Sequence, residues 1–223
     1  MSARSFTANN RIIIITVPHG FCFYQSLGFD TRDCDKRALD ASIILYNKLK
    51  ERNNVPLIFL SNIKRSKIDL NRPWSRFTEW RQQINDTLRE LKNLNPQAKL
   101  ILVDMHSFPQ ETENTKGWKK IAFLDTEETE TVNNLINKLN DGLGKGTIIS
   151  NFVQGSNIND IQITSRRYVD FSFLIENNEY IENFTEDELR KAYDIIADYL
   201  LTFPITEKVV DINYSNYPKC FIM

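Results

Sequence analysis

The sequence predicts an α/β domain with a mainly parallel or mixed central sheet flanked by helices, and three observations predict it. Short apolar runs rich in β-branched residues, typical of strands buried on both faces, alternate with segments of helical periodicity. These patterns follow one another in the order β-α-β-α, which favours parallel strands joined by crossover helices. Of the 223 residues, 41% are hydrophobic and 26% are charged, which is enough apolar material for a packed core.

Six segments are predicted as strands. The clearest are Arg11–Val17 and residues 99–105, whose central positions are almost all Ile, Leu or Val. The other four are residues 55–60, Ile121–Asp125, residues 147–153 and residues 170–175. In an open α/β sheet, ligands bind beyond the carboxyl ends of the strands, so the residues around these ends are the first candidates for a site.

Four segments are predicted as amphipathic helices. The first covers residues 35–52, the third surrounds residues 132–139 and ends at the glycine cluster 142–146, and the last runs through residues 189–200. Thr185 and Glu188 form a capping-box pair before this last helix. The second helix has apolar residues at steps of three and four: Phe77, Trp80, Ile84, Leu88 and Leu91.

The overall charge and the cysteine content exclude several classes of protein. The chain has 28 Lys and Arg against 29 Asp and Glu, and a net charge of -1 gives no indication of a nucleic-acid partner. The longest apolar run, residues 12–17, is too short to span a bilayer, and the first ten residues lack the apolar core of a signal peptide. Three scattered cysteines do not make a disulfide framework, so we expect a cytoplasmic protein in a reducing compartment.

The chain has only two histidines, and both lie at the carboxyl end of a predicted buried strand. His19 follows Arg11–Val17, and His106 follows the apolar residues 100–103. Because parallel strands end at the same edge of a sheet, we expect the two imidazoles to meet there. Two imidazoles at such an edge are candidate metal ligands, with zinc as the default ion. The alternative is that both rings only hydrogen-bond the backbone at the strand ends.

A third metal ligand is expected among the acidic residues that follow His19. Asp30, Asp33 and Asp35 all stand just before or at the start of the predicted helix 35–52. One of them would then serve as a helix N-cap, a role worth about 1 kcal/mol. Three carboxylates leave room for both roles, and the residues alone do not choose between them.

Four motifs stand in a characteristic order: VPHG at 17–20, DCDKRA at 33–38, KRSKIDLNRP at 64–73 and LILVDMHS at 100–107. This order resembles that of the N-formylglutamate amidohydrolases, a family within the wider zinc-carboxypeptidase-like group. The resemblance extends from Arg11 to the region after Glu176. It implies a fold similar to the zinc carboxypeptidases and the phosphorylase/hydrolase-like proteins, and it implies Zn²⁺ as the cofactor.

The resemblance also implies a role for each matching ligand residue. His19 and His106 match the two metal histidines, and Asp35 matches the metal carboxylate. Asp33 is the nearest rival to Asp35, because DxD-like variants make that alignment ambiguous. Asp104, two residues before the second histidine, is expected to orient a ligand rather than to bind the metal.

The DLNRP stretch matches the part of the family that binds the substrate. Asn71 and Arg72 match the pair that holds the substrate's free carboxylate, and a guanidinium binds a carboxylate through two parallel hydrogen bonds. Asp69 is expected to brace this loop, and Arg65 to add a second cationic contact. For Arg72 alone, the alternative is a surface salt bridge of little energetic value.

Glu176 is expected to be the general base and acid. It follows an apolar run that resembles the family's late strand, and a carboxylate at the end of a buried strand is costly unless it is used or paired. Glu179 is the second choice for this role. The alternative is a solvent-facing glutamate without a function.

The implied activity is the hydrolysis of an amide bond beside a free carboxylate. The substrate would be a small N-acyl amino acid, such as N-formylglutamate, or a peptide cleaved at its C-terminus by a carboxypeptidase. A different class of protein, a non-catalytic binding protein that kept the fold, is a further alternative. Asp104, His106 and Ser107 also contain the residue types of a serine hydrolase, but no nucleophile-elbow motif is present.

Residues 1–204 are expected to form a single catalytic domain, and residues 205–223 a C-terminal tail. The last four residues, from Cys220 to Met223, fit a C-a-a-X pattern for farnesylation. The preceding NYPK carries a single lysine, so a farnesyl group on Cys220 would give only a weak, reversible membrane anchor. The predicted location is therefore the cytoplasm, with membrane association only through this modification.

Overall fold

The structure, a computed structural model, describes residues 10–20, 34–108, 120–125, 130–145, 148–152, 161, 165, 167–179 and 182–205. In chain order its elements are β1 (Arg11–Val17), α1 (Lys36–Glu51), β2 (Leu57–Leu60), α2 (Glu79–Leu94), β3 (Lys99–Phe108), β4 (Ile121–Asp125), α3 (Glu130–Leu143), β5 (Ile148–Phe152), β6 (Phe171–Asn178) and α4 (Glu186–Thr202). A short 3₁₀ helix, Pro73–Phe77, precedes α2.

The described strands form one mixed sheet in the order β2-β1-β3-β6-β4-β5. Strand β1 pairs in parallel with β2 and β3, β3 pairs in parallel with β6, and β4 pairs in parallel with β5. The β4–β6 pair is antiparallel, so the sheet is mixed rather than fully parallel. The α/β class predicted from the sequence is confirmed. The last of the described strands, β6, lies in the middle of the sheet beside β3.

The sheet has helices on both faces. Successive side chains of its central strands point to opposite sides, and each side packs against helices. In β1, Ile13 and Ile15 belong to a core with α1, α3 and α4, whereas Ile12 and Ile14 belong to a second core with α2. Buried strands of this kind read as continuous apolar runs, which is why the sequence pattern of β1 was informative.

The predicted stop signal of α3 and the predicted start signal of α4 are both present. Thr185 and Glu188 form the complete capping box at the start of α4. Helix α3 ends at Leu143, and Gly144 follows with a φ of 106°, a left-handed conformation that a glycine adopts without the usual steric cost.

The apolar stripe predicted for the second helix is wrong at its first position. Thr78 caps α2 by accepting a hydrogen bond from the Arg81 N–H, so the helix begins at Glu79. Phe77 therefore lies in the preceding 3₁₀ helix, and its side chain is exposed at 84%. Trp80, Ile84 and Leu88 of the same stripe are buried as expected.

Two strands extend beyond their predicted ends. Strand β3 continues to Phe108 and β6 to Asn178, so His106 and Glu176 lie within strands rather than after them. The two residues face each other in the register of the parallel β3–β6 pair. Within the described residues, no helix is long and apolar enough to cross a membrane. The predicted tail beyond residue 205, with Cys220, lies outside the described residues.

Candidate metal centre

The two histidines meet at the edge of the sheet where β1 and β3 end. His19 follows β1 by two residues, and His106 lies near the end of the neighbouring strand β3. Their ring centroids are 5.7 Å apart, with the rings at 72° to each other. Both side chains are buried, with 0% and 2% exposure. The expected convergence of the only two imidazoles in the chain is therefore present.

Asp35 completes a group of three residues. One ligand atom from each of His19, Asp35 and His106 lies within 4.8 Å of the other two, a spacing at which all three atoms can contact one metal ion. The Asp35 Oδ2 atom lies 3.3 Å from His19 Nδ1 and 3.6 Å from His106 Nδ1. Asp30 and Asp33, the other acidic candidates, lie outside the described residues.

Asp35 occupies the N-cap position of α1 but does not act as a cap. Its carboxylate makes no capping hydrogen bond, and it turns towards the two histidines instead. Its backbone N–H donates to the His19 carbonyl at 3.0 Å, which joins the start of α1 to the segment that follows β1. The Ser107 N–H donates to Oδ2 at 3.3 Å.

Each histidine also contacts a second carboxylate on the other side of its ring. His19 Nε2 lies 3.2 Å from Asp69 Oδ1, and His106 Nε2 lies 3.2 Å from Asp104 Oδ2. The Thr16 hydroxyl on β1 donates to Asp104 at 2.6 Å and holds that carboxylate in place. Metal-binding histidines generally donate their second ring N–H to such a carboxylate, which orients the ring and makes it a better ligand.

Two imidazole nitrogens and one carboxylate oxygen are the donor set of many catalytic zinc sites. The outer carboxylates direct Nδ1 of both rings towards Asp35, so the three donors face a common point. The buried residues present therefore fit a divalent metal ion.

The electrostatics of the three residues keep Asp35 ionised. Burial by itself would raise the pKa of Asp35, but the hydrogen bonds with His106 and His19 outweigh it and hold the pKa well below its usual range. Burial would lower the pKa of His106, but the charge and hydrogen bond of Asp104, with the hydrogen bond of Asp35, raise it well above its usual value. A bound cation would take the place of the proton that the His106 imidazole otherwise attracts.

Glu176 lies beside this group on β6. Its register partner is His106, and its side chain is partly buried. Burial raises the pKa of Glu176 to about 7, with the positive charge of His106 acting against the shift and the negative charge of Asp35 adding to it. A carboxyl group with this pKa exchanges a proton readily near neutral pH.

Glu179 has a different neighbour. The Ser107 hydroxyl donates to its carboxylate at 2.7 Å, and the Glu179 N–H donates to the Phe108 carbonyl at 3.1 Å. Because Ser107 is directed to Glu179 while His106 Nε2 faces Asp104, these residues do not form the Asp-His-Ser arrangement of a serine hydrolase.

The DLNRP loop lies against the metal group. Asp69 accepts a hydrogen bond from the Asn71 N–H at 3.1 Å, so it braces its own turn as well as contacting His19. Arg72 Nε lies 3.4 Å from Asp69 Oδ2, and Arg65 lies 3.7 Å from Asp35 and 4.0 Å from Asp69. The two arginine side chains remain 39% and 43% exposed, so part of each guanidinium faces solvent beside the site.

Two features of this region were not predicted from the sequence. Asp69 and His19 are 50 positions apart, and no local pattern links them. Cys34, next to Asp35, is disulfide-bonded, whereas the sequence led us to expect reduced cysteines. Cys34 is buried against Leu39 of α1.

Comparison with known proteins gives similarity of fold only. No protein-family model and no curated protein matches the chain. The gene product Atu2144 from Agrobacterium tumefaciens aligns with a TM-score of 0.59 and 13% identity over 86% of this chain and 89% of that one. At that identity the match shows a common α/β fold and does not extend to function.

Two further solved structures align less closely. Cwp6 from Clostridium difficile has a TM-score of 0.46 and 10% identity over 85% of this chain and 28% of its own. A candidate metallopeptidase from Shewanella denitrificans OS217 has a TM-score of 0.43 and 13% identity over 90% of this chain and 75% of its own. Alignments this loose carry no argument about this protein, so the case for function depends on the site itself.

Proposed function

We propose that this protein is a zinc-dependent hydrolase that cleaves an amide bond beside a free carboxylate, similar to an N-formylglutamate amidohydrolase. The observation that carries the proposal is the buried group of His19, Asp35 and His106, whose ligand atoms lie within 4.8 Å of one another. Three protein ligands are typical of a catalytic zinc site, whereas structural zinc sites use four.

His19, Asp35 and His106 would hold the metal ion. When bound, zinc supplies a Lewis acid that lowers the pKa of water and polarises the scissile carbonyl. Asp69 and Asp104 keep the two imidazole rings oriented with Nδ1 towards Asp35.

Glu176 would be the group that moves the proton. Its carboxylate takes a proton from the attacking water and returns it to the nitrogen of the departing amine. The raised pKa of Glu176, caused mainly by its burial, suits a group that must both accept and release a proton near neutral pH. Carboxyl groups with a raised pKa beside a group of metal-ligand type are characteristic of catalytic sites, which favours an enzyme over a binding protein.

Arg72 and Asn71 would hold the free carboxylate of the substrate, with Arg65 as a second cation. The exposed part of each guanidinium is open to a ligand, and the contacts of both arginines with Asp69 keep them beside the metal group. A substrate fixed at its carboxylate presents its amide to the reacting groups in a constant orientation. The same arrangement would suit the C-terminal residue of a peptide, so a carboxypeptidase is the second candidate.

The test begins with the metal content of protein purified without added zinc. We expect about one zinc per chain in the parent and a loss of the metal in His106→Ala, because one of the three ligands is removed. A panel of formylated, acetylated and peptide-linked amino acids then identifies the substrate. Protein that binds neither zinc nor another divalent ion at micromolar concentration would contradict the proposal.

Glu176→Gln separates catalysis from metal binding. We expect this variant to retain its zinc and to lose at least about 100-fold in kcat, because it cannot carry the proton. Glu182→Gln, an exposed glutamate of the same chain, is the matched control and should have the parent's rate. Undiminished hydrolysis by Glu176→Gln would show that another group is the base.

A further inference from the structure

Arg81 is the largest fully buried side chain among the described residues, with 1% exposure. A guanidinium is always charged, so its burial costs free energy that only well-placed hydrogen bonds offset. Arg81 also lies in the first turn of α2, where the helix dipole disfavours a positive charge. Two separate costs at one residue indicate that the guanidinium has a purpose other than packing.

Two hydrogen bonds of Arg81 are with the loop that carries the proposed substrate-binding residues. Its Nη1 atom donates to the Leu70 carbonyl at 2.9 Å and to the Ser75 hydroxyl at 3.0 Å. The Ser75 hydroxyl lies 2.9 Å from the Leu70 carbonyl and 2.7 Å from the Arg72 carbonyl. Leu70 and Ser75 are themselves fully buried.

These contacts fix the backbone on both sides of Asn71. Arg81 holds the Leu70 carbonyl directly and the Arg72 carbonyl through the Ser75 hydroxyl, and the N–H of Asn71 is held by Asp69 from the metal side. The turn is thus fixed between the buried guanidinium and the carboxylate that contacts His19.

We propose that Arg81 is the positioning residue of the carboxylate-binding loop: its buried guanidinium holds the turn that keeps Asn71 and Arg72 beside Asp69, next to the metal group. This inference rests on the proposed function of that loop. Arg81 contacts neither metal nor substrate in this scheme. Its replacement should therefore weaken recognition of a carboxylate and leave the metal site as it is.

The variants are Arg81→Met, which keeps the length of the side chain and removes the charge, and Arg81→Lys, which keeps the charge and loses the planar fork. Arg89→Met is the control, because Arg89 is an exposed arginine on the same helix, paired with Asp86. If Arg81→Met does not fold, Ser75→Ala removes only the hydroxyl that joins the two carbonyls and tests the same loop.

The measurement is calorimetric binding of N-acetylglutamate to the zinc-loaded proteins, with N-acetylglutaminamide as the counterpart that has no carboxylate. We expect Arg81→Met to weaken N-acetylglutamate binding by at least about tenfold, Arg81→Lys to weaken it less, and Arg89→Met to match the parent. Zinc content and the affinity for N-acetylglutaminamide should not change. For the best panel substrate, KM should rise while kcat changes by less than about threefold.

Equal affinity for N-acetylglutamate in Arg81→Met and the parent would overturn the inference. A parent protein that binds the two compounds equally well would also overturn it, because the loop would then not recognise the carboxylate. So would a variant that loses zinc together with carboxylate binding, because Arg81 would then have a general structural role. The parent protein could hydrolyse no compound of the panel, while Arg81→Met binds N-acetylglutamate more weakly than the parent does. That result would refute the proposed hydrolase activity and leave the positioning role of Arg81 intact.

Discussion

At the scale of residues, the candidate site is defined by the contacts that His19 and His106 make through their ring nitrogens. Each imidazole has Nδ1 towards Asp35 and Nε2 towards an outer carboxylate. This arrangement determines which ring nitrogen is available to a metal, because the outer carboxylate takes the N–H of the other nitrogen. Three of the four acidic side chains around the two histidines, Asp35, Asp69 and Asp104, contact an imidazole directly, and the fourth, Glu176, lies opposite His106 on the neighbouring strand.

The raised pKa of Glu176 leads to a prediction for the metal-free protein. Burial raises this pKa from 4.5 to about 7, so between these values the folded state binds more protons than the unfolded chain. Stability is then lost as the pH rises from about 4.5 to about 7. Glu176→Gln removes this loss, so its advantage in free energy of unfolding over the parent should be about 3 kcal/mol larger at pH 8 than at pH 4.5.

Urea unfolding in the presence of a chelator, at pH 4.5 and at pH 8, measures this difference. Glu182→Gln is the control, since its side chain is exposed. A difference between variant and parent that does not change with pH would mean that Glu176 titrates normally in the fold.

At the scale of elements, the site depends on a pairing that joins the third strand to the last. The β3–β6 register brings Glu176 opposite His106, although the two residues are 70 positions apart. Helix α4 supports this pair from the other face of the sheet. The Tyr193 hydroxyl donates to Asn177 Oδ1 at 2.8 Å, and the Asn177 amide donates to the His106 carbonyl at 3.1 Å.

Tyr193→Phe should therefore destabilise the protein by about 1–2 kcal/mol, because it leaves the buried Asn177 oxygen without its hydroxyl donor. Burial raises the pKa of Tyr193, so the hydroxyl remains a neutral donor throughout the accessible pH range. The measurement is denaturant unfolding. Tyr199→Phe, whose hydroxyl donates to the partly buried Thr131 carbonyl at 2.7 Å, should cost less. Equal costs for the two variants would show that the Asn177 contact has no special value.

At the scale of the whole molecule, the site lies where separate parts of the chain meet. His19 comes after β1, Asp35 precedes α1, and His106 belongs to β3. Since no such group exists in the unfolded chain, a metal bound there stabilises the folded state.

Arg11 connects the sheet to the end of α4. Its guanidinium donates hydrogen bonds to the Leu200 and Phe203 carbonyls, at 2.9 and 2.5 Å.

Zinc should accordingly raise the thermal stability of the protein. At a free zinc concentration 100 times the dissociation constant, the expected gain is about 2.7 kcal/mol, seen as a higher Tm that chelators reverse. His106→Ala should show no such response to zinc. A parent whose Tm is the same with zinc and with a chelator would contradict binding to the folded state.

The sequence by itself determined the elements and the sheet edge at which the chemistry gathers. Strands β1 and β4 have their predicted bounds, and the capping box of α4 is where Thr185 and Glu188 indicated it. These features depend on the periodicity and chemistry of neighbouring residues, which the sequence displays directly. The wrong assignment of Phe77 to the second helix has the same local origin. Phe77 has the helical spacing from Trp80, but it lies before Thr78, the residue that caps the helix.

Only the tertiary structure decided how distant residues are combined. The contact of Asp69 with His19, the pairing of Glu176 with His106 and the buried hydrogen bonds of Arg81 to its loop all join positions that no periodic pattern connects. Such contacts depend on the order and register of the strands and on what each side chain must pair with once water is removed. That is why the ligand types and the orienting role of Asp104 could be predicted from the sequence, while the contact of Asp69 with His19 could be assigned only in the folded molecule.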